Sequence, residues 1–393
     1  MSLIAIKKYK FAYDFYETRR LYPFYENAIN RTNGKDYFNT QKTELNDLVN
    51  FIHVVNYINP YYDLIINEKE TPLKAFKIDK DKGYMAQLNE FKSIEEYMGS
   101  KMSSKSRTKM RSYKRRLETC FNISYKMYFG EITKNDYDHL FSKFNLFLSK
   151  RFLQRGDEHE ALARWDSLKE NTFDMIMNKT ASLFVIYNGN QPIDICLNYH
   201  HQNIIDNAIR SYDIDYSKFR LGYIDIYKQL EWCFQNGVEI FDLSLGDFDY
   251  KRLWCNVIYD FKHHILYNKN SFVKKVLAYT IVGFYNTKEY LKKKNVHLYY
   301  QKIKNIFKVK IRSGGSDYEH ILELEELENL PLLDDITQID FLLEKYRILR
   351  KTIYDFQYMN SDSSKNIRIY EMNNQKGIFF VKGRKKILKI NLV

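Results

Sequence analysis

The sequence predicts a mixed α+β fold in which a twisted mixed sheet is flanked by helices. Three observations predict it. Period-2 apolar segments crowd between Ser182 and Tyr212. An amphipathic helix follows, with Tyr223, Ile226, Tyr227, Leu230, Cys233 and Phe234 at 3-4-7 spacing, and one more strand-like run comes after it. Of the 393 residues, 45% are apolar and 16% aromatic, enough to build a core and too many aromatics for a disordered chain.

The elements are taken in chain order. Ser93 and Glu96 form a Ser-x-x-Glu capping box that opens a helix. Lys101 to Arg116 then carries eight basic residues and no acid, over a thin apolar stripe of Met102, Met110, Tyr113 and Leu117. That stretch is either a solvated helical face or a face that meets phosphates. Asp136 to Phe152 and Trp165 to Met177 have helical spacing. Ser182 to Tyr187 reads as a strand, and Asn188-Gly189 as a hairpin turn with positive φ at both central positions. Ile193, Ile195, Leu197 and Tyr199 alternate with Asp194, Cys196, Asn198 and His200, which reads as a half-buried strand. Ile204 to Tyr212 is a third strand and Asp213 to Leu221 a loop. Gly222 to Asn236 is the clearest helix, with Gly237 placed as its C-terminal cap, and Val238 to Leu243 a further strand. Residues 271 to 310 read as helical and basic. Residues 317 to 348 are acidic and Leu-rich and are also expected to be helical. The tail after Asn366 has strand-like runs near Asn373-Asn374 and Lys382-Gly383. Ser313-Gly314-Gly315-Ser316 is the clearest linker.

Several function classes are set aside. The four cysteines, Cys120, Cys196, Cys233 and Cys255, are too scattered for a zinc site or a disulfide framework, which points to a reducing cytoplasm. His200-His201 and His263-His264 lack a third ligand at metal spacing, so no metal is expected. No Walker loop, Gly-x-Gly-x-x-Gly or Gly-x-Ser-x-Gly occurs. Met1 to Lys10 alternates apolar and basic residues, unlike a signal peptide. The longest apolar run, Val276 to Tyr285, has about ten residues where a membrane span needs roughly twenty, so membrane contact is peripheral at most. A net charge of +13 favours an anionic partner. The chain's richness in Ile, Asn and Tyr also fits a composition in which surface lysine is raised without a role.

One constellation carries chemistry. Tyr212-Asp213 is followed by Arg220-Leu221-Gly222 opening the helix, then Gly237, then Phe241-Asp242-Leu243-Ser244-Leu245-Gly246-Asp247, then Tyr250-Lys251-Arg252-Leu253-Trp254. With Ser93 to Glu118, this order resembles the GNAT acetyltransferase domain of CelD-like cellulose-biosynthesis proteins, and more distantly the Fem-type peptidyltransferases, over roughly residues 85 to 260. Where that family has Ser-Pro-Gly, this chain has Arg220-Leu221-Gly222 and only the glycine is shared.

The resemblance implies a GNAT fold, as a tandem pair of halves over residues 1–125 and 126–265, with a basic helical segment at 266–312 and a C-terminal α+β extension at 313–393. It implies acyl transfer from acyl-CoA or acetyl-CoA to an amine or hydroxyl of a small-molecule or glycan acceptor, a cell-envelope or polysaccharide precursor. Charged tRNA is the donor under the Fem-like alternative only, and a non-catalytic GNAT-fold binding protein is a third reading. The donor pyrophosphate would rest on the helix start at Arg220, Leu221, Gly222 and Tyr223, where free N–H groups and the helix dipole favour anions. Asp213 would be the general base, or a loop-capping carboxylate. Tyr250 would protonate the departing thiolate, or be an ordinary core or surface aromatic. Lys251 would stabilise the oxyanion or a donor phosphate, or be solvated. Tyr212, Asp247 and Trp254 would contact the acceptor, and Asp242 would hold the loop.

Overall fold

The computed structural model describes residues 6–39, 45–294 and 322–392. The chain divides into two compact units, each assembled from two separate stretches: residues 1–86 with 243–312, and residues 87–242 with 313–393. Neither unit follows the expected division at 125 and 265. The Ser313 to Ser316 linker lies outside the described residues.

In chain order the first unit contributes β1 (Ile6–Lys10), α1 (Phe11–Thr18), β2 (Tyr25–Asn30), β3 (Asp36–Phe38), α2 (Leu45–Val49), β4 (Ile52–Ile58), β5 (Tyr62–Ile66) and β6 (Leu73–Gln87). The second unit runs through α3 (Ile94–Lys101), α4 (Ser104–Cys120), β7 (Ile123–Tyr128), α5 (Lys134–Arg155), α6 (Trp165–Met177), β8 (Ala181–Asn188), β9 (Gln191–His201), β10 (Ile204–Tyr212) and α7 (Leu221–Gln235). Strand β11 (Ile240–Leu245) carries the division between Asp242 and Leu243. The first unit resumes with α8 (Asp249–Trp254), β12 (Val257–Asn268) and α9 (Phe272–Lys293). The second closes with β13 (Leu322–Leu327), β14 (Ile336–Ile339), α10 (Arg350–Asn360), β15 (Arg368–Met372), β16 (Ile378–Lys382) and β17 (Ile387–Leu392).

Within the first unit, β1 is parallel to β4, and β12 is antiparallel to both β4 and β6. A smaller antiparallel sheet runs β3-β2-β5. Helix α9 covers Ile52, Val54, Ile265 and Tyr267 with its inner face, at Ala278.

Within the second unit, β7, β8, β9 and β10 are successively antiparallel. Strand β10 is parallel to β11 over Ile204 to Asp206 against Ile240 to Asp242. At Asn207 to Ile209 the register of β10 against β9 slips. From there to Tyr212 the described partner of β10 is β9 alone. The capping box forms as expected: the Ser93 side chain accepts from the Glu96 amide, while Glu96 reaches back to the amide of Lys92.

Three expectations need correcting. The hairpin loop is Gly189-Asn190, one residue later than expected, and only Gly189 has positive φ, +58°. A single positive-φ residue at the first central position is enough for that kind of turn. Strand β9 is buried on both faces from Pro192 to His201, polar residues included, because α7 covers the side that the alternation assigned to water. The stretch 322–348 is not α-helical: β13 and β14 occupy it with two short 3-10 helices, Leu333–Asp335 and Glu344–Leu349, and the α-helix starts at Arg350. Leu322-Glu323-Leu324-Glu325 has period 2, and the acids pair across the ladder, Glu325 with Lys389 at 3.4 Å and Glu326 with Lys386 at 2.8 Å. Of the stretch 271–310, α9 is helical to Lys293 and residues 295–310 lie outside the described part.

The C-terminal stretch completes the core of the second unit. Strands β13-β17-β16-β15-β14 form one antiparallel sheet. Leu349, Ile353, Tyr354 and Phe356 pack with Phe121, Tyr216 and Phe219 in a single apolar cluster.

Candidate active site

The start of α7 is set up by the chain before it. The Asp213 carboxylate accepts from the Asp215 amide at 3.1 Å and opens a 3-10 turn, Ile214–Phe219. Arg220 then adopts φ +60°, which breaks the turn and redirects the chain into helix. Leu221 and Ile224 are buried in the apolar cluster and anchor the first turn. That turn has no side-chain cap and no acid, its positive end is open to an anion, and its Tyr223 amide donates to the Arg220 carbonyl at 2.9 Å. Of the four residues expected to hold the donor, Arg220 is exposed, Leu221 is core, and Gly222 and Tyr223 are half-buried.

Gly222 is needed for a reason internal to the fold. A Cβ there would stand 2.6 Å from the Arg210 guanidinium. Arg210 donates to the Gly222 carbonyl at 2.7 Å and pairs with Asp225 at 3.3 Å. The close approach expected of a ligand is made by the chain's own arginine.

Arg210 belongs to a buried polar chain beneath α7. Gln229 donates to Asp225 at 2.6 Å, Asn198 to Gln229 at 2.8 Å and to Ser182 at 3.3 Å, and Asn207 to Asn198 at 2.8 Å. Cys196 lies 3.6 Å from Asp194. Burial, and then the neighbouring Asp225, push the Asp194 carboxyl well above its usual range, and Arg210 opposes the shift. Asp225 is raised by burial and held back first by Arg210. Asp194, Cys196 and Asp225 have ligand atoms within 4.8 Å of one another. The cation beside them is already supplied by Arg210. Sequence reasoning missed this chain. Its signal was Asn207 and Arg210 on β10, facing Asp194 and Asn198 on β9.

A groove of about 560 Å³ runs along α4 and the start of α7, lined by Arg111, Lys114, Arg115, Tyr223, Ile224 and Tyr227 among others. Met110, Leu117 and Cys120 anchor α4 in the core and turn its basic face outward. Among the described residues, Lys105, Lys109, Arg111 and Arg115 are exposed and pair with no acid. The basic stretch and the expected donor residue Tyr223 thus line one cavity.

Asp213 lines a second cavity, about 390 Å³, with Lys143, Lys150 and Asp215, and with Arg347, Arg350 and Tyr354 from the C-terminal stretch. Glu344 is paired with Arg347 at 3.0 Å and Arg350 at 3.7 Å. Burial raises the Asp213 carboxyl. Burial, with Asp213 adding to it, raises Asp215 to about 7. The folded form therefore holds a proton on Asp215 that the unfolded chain releases near pH 4. Stability from this group is complete below pH 4 and is lost as the pH rises through about 7. Between pH 6 and pH 8 the wild type is expected to lose about 1 kcal/mol, a melting shift of a few degrees, that Asp215→Asn does not lose. Thermal unfolding of both proteins at the two pH values checks this, and equal slopes would refute it.

The other expected residues sit in the first unit. Lys251 is buried, and its ammonium donates to the carbonyls of Ser244 and Leu245 at the end of β11. Ser244 (φ +57°) and Gly246 (φ +109°) give that end its left-handed turn. Tyr250 is half-buried, its ring stacked near Phe248 at 5.8 Å. The Asp247 carboxylate is gripped by Arg252 at 2.7 Å and also accepts from Tyr84, whose phenol burial and Asp247 raise to about 12. Trp254 is fully buried, a core residue rather than a surface for an acceptor. Tyr212, in the second unit, lies 4.8 Å under the Arg151 guanidinium, and Asp242 is fully buried. His200, His263 and His264 each hydrogen-bond a side chain, Ser182, Asn56 and Tyr25 respectively. Burial holds His263 down to about 4 and His264 to about 3, so both are neutral.

Residues 104–252 match the family model described as an acetyltransferase (GNAT) domain. Within the mixed α/β fold, that stretch carries the GNAT domain. No curated protein sequence matches the chain. Among solved structures, FemX is similar at 9% identity and a TM-score of 0.40, over 58% of this chain and 74% of that one. The L-PGS of Bacillus licheniformis is similar at 11% and 0.38, over 58% and 72%. A conserved protein of unknown function from Bacteroides thetaiotaomicron is similar at 7% and 0.37, over 56% and 72%. Likenesses this distant say nothing about chemistry.

Proposed function

We propose that the protein is a cytoplasmic acyltransferase that moves an acyl group from acyl-CoA to an amine or hydroxyl of a cell-envelope or polysaccharide precursor. The observation that carries the donor is the groove of about 560 Å³, where Arg111, Lys114 and Arg115 face the uncapped first turn of α7 at Tyr223 and Ile224. Cations on one wall and the positive end of α7 on the other suit a phosphorylated handle. The edge of β10 beyond Asp206, unpaired with β11, offers backbone groups to an extended amide-bearing arm. Asp213 remains the base of this reading, its carboxyl raised by burial, which strengthens it as a proton acceptor. Tyr250 gives the proton to the leaving thiolate. Lys251 acts on the oxyanion or a phosphate only if it leaves the Ser244 and Leu245 carbonyls. Two GNAT halves in tandem, and Asp247 as acceptor ligand, belong to the same reading.

Titration calorimetry with acetyl-CoA and longer acyl-CoAs tests it. The wild type should bind, and Arg111→Ala with Arg115→Ala should weaken binding by roughly a hundredfold, because hydrogen bonds to charged groups contribute about 1.5–3 kcal/mol each. Failure of every acyl-CoA to bind, or an unchanged affinity in the double variant, refutes the donor assignment. The exposed, unpaired row Lys105, Lys109, Arg111 and Arg115 supports a second reading, a donor carried on tRNA. That reading requires tRNA binding that falls steeply with salt, as counterions are released from phosphates.

A further inference from the structure

Helix α9 is apolar on two faces. Its inner face, Leu277, Ala278, Ile281, Val282 and Tyr285, packs on the sheet of the first unit. Its outer face is also apolar: Phe272 is 79% exposed, Val273 62%, Phe284 65% and Tyr290 60%. At about 100° per residue these side chains share one half of the helix with Val276, Thr280, Gly283, Thr287 and Leu291, all exposed. Packed helices normally turn such a stripe inward, and a large exposed apolar patch marks a contact surface.

Charge decides what the contact is. Lys275 and Lys288 are exposed on either flank of the stripe, and Lys294 follows just beyond the helix. The one acid in the helix, Glu289, is half-buried toward the sheet side. The outward half is therefore large apolar side chains with two threonines and a glycine among them, cationic at its borders and free of carboxylates. A second copy would bring lysines against lysines. No described helix is long and apolar enough to cross a membrane. An apolar stripe with lysine borders instead suits a helix lying in the plane of a bilayer surface, where lysine stems snorkel to the headgroups.

We propose that α9 docks flat on an anionic lipid bilayer, its outward stripe set at the acyl-chain boundary and Lys275, Lys288 and Lys294 against the headgroups. The proposal stands apart from the donor and acceptor assignments and predicts that the protein works on or beside a membrane.

Co-sedimentation of the full chain with vesicles tests it. The probes are phosphatidylcholine alone, and phosphatidylcholine with about one-third phosphatidylglycerol. The wild type is expected on the anionic vesicles and not on the neutral ones, with binding that weakens as salt rises. Phe272→Ser with Phe284→Ser should lower vesicle affinity on the order of a hundredfold through lost apolar burial. Lys275→Glu with Lys288→Glu should lower it at least tenfold, since each basic residue near the surface contributes about fivefold. All four positions are exposed, so the melting temperature should hold, and a lowered one would move the test onto the lysine pair. Absence of binding to anionic vesicles at low salt overturns the proposal. So does wild-type affinity for anionic vesicles in both double variants. A wild-type dimer that the phenylalanine variant dissociates, with no vesicle binding, would assign the stripe to a second copy and overturn it as well.

Discussion

Arg210→Met is expected to cost the second unit about 3–5 kcal/mol and to lower its melting temperature by roughly 10 °C or more. Removing this guanidinium leaves Asp225 and Asp194 buried without the cation between strand and helix. It also leaves the Gly222 carbonyl without its donor. One of the two carboxyls must then take a proton or the site must open. The outcome is therefore pH-dependent: the variant should be least destabilised in mild acid, where protonation removes the uncompensated charge. Donor binding should weaken too, because Arg210 holds the helix turn that faces the groove. Thermal unfolding and calorimetry on the variant measure both effects. A melting point within a degree or two of wild type would mean that water has replaced the guanidinium and that the buried chain is not under ionic control.

Ile353→Ala is expected to lose about 2–5 kcal/mol, as large-to-small changes in packed cores do. Ile353 is fully buried in the cluster that joins α10 to Phe121, Tyr216 and Phe219. Tyr216 and Phe219 belong to the turn between Asp213 and the start of α7, and Phe121 packs against both. The variant should therefore lose order in the Asp213 cavity as well as stability. Hydrogen exchange at residues 213–224 would read the first effect and chemical denaturation the second. Protection at those residues unchanged from wild type would show that the C-terminal stretch is merely appended.

Much of this fold was legible in the sequence because its local signals agree with its tertiary contacts. The Ser93-Glu96 box, the 3-4-7 stripe of α7 and Gly237 at φ +65° each act within a few residues. Where the reading failed, a distant partner decided. The polar half of β9 looks solvent-facing until α7 is laid over it and Asn198 meets Gln229. The Leu- and Glu-rich stretch after residue 321 looks helical by composition, yet Lys386 and Lys389, more than sixty residues on, turn it into a strand edge. The proposed donor residues rest on resemblance and on the chemistry of helix starts. The basic wall opposite them was visible only as a charge run, since which face of α4 is buried depends on the core. Gly222 shows the same limit: a glycine states that something comes close but not what, and here the Arg210 guanidinium does.

The division of the chain has a consequence for synthesis. The second unit needs residues 87–242 and 313–393 together, and the first needs 1–86 and 243–312. Neither can close when its first stretch leaves the ribosome. The aromatic surface around Phe121, Tyr216 and Phe219 must wait uncovered while the intervening segment is made and until α10 arrives. At about 5–20 residues per second that wait lasts several seconds or longer. Exposed aromatic surface of this kind invites association with other nascent chains. The protein is thus one whose yield in a cell should depend on holdase capacity and on translation speed past residue 242 more than on the final stability of either unit.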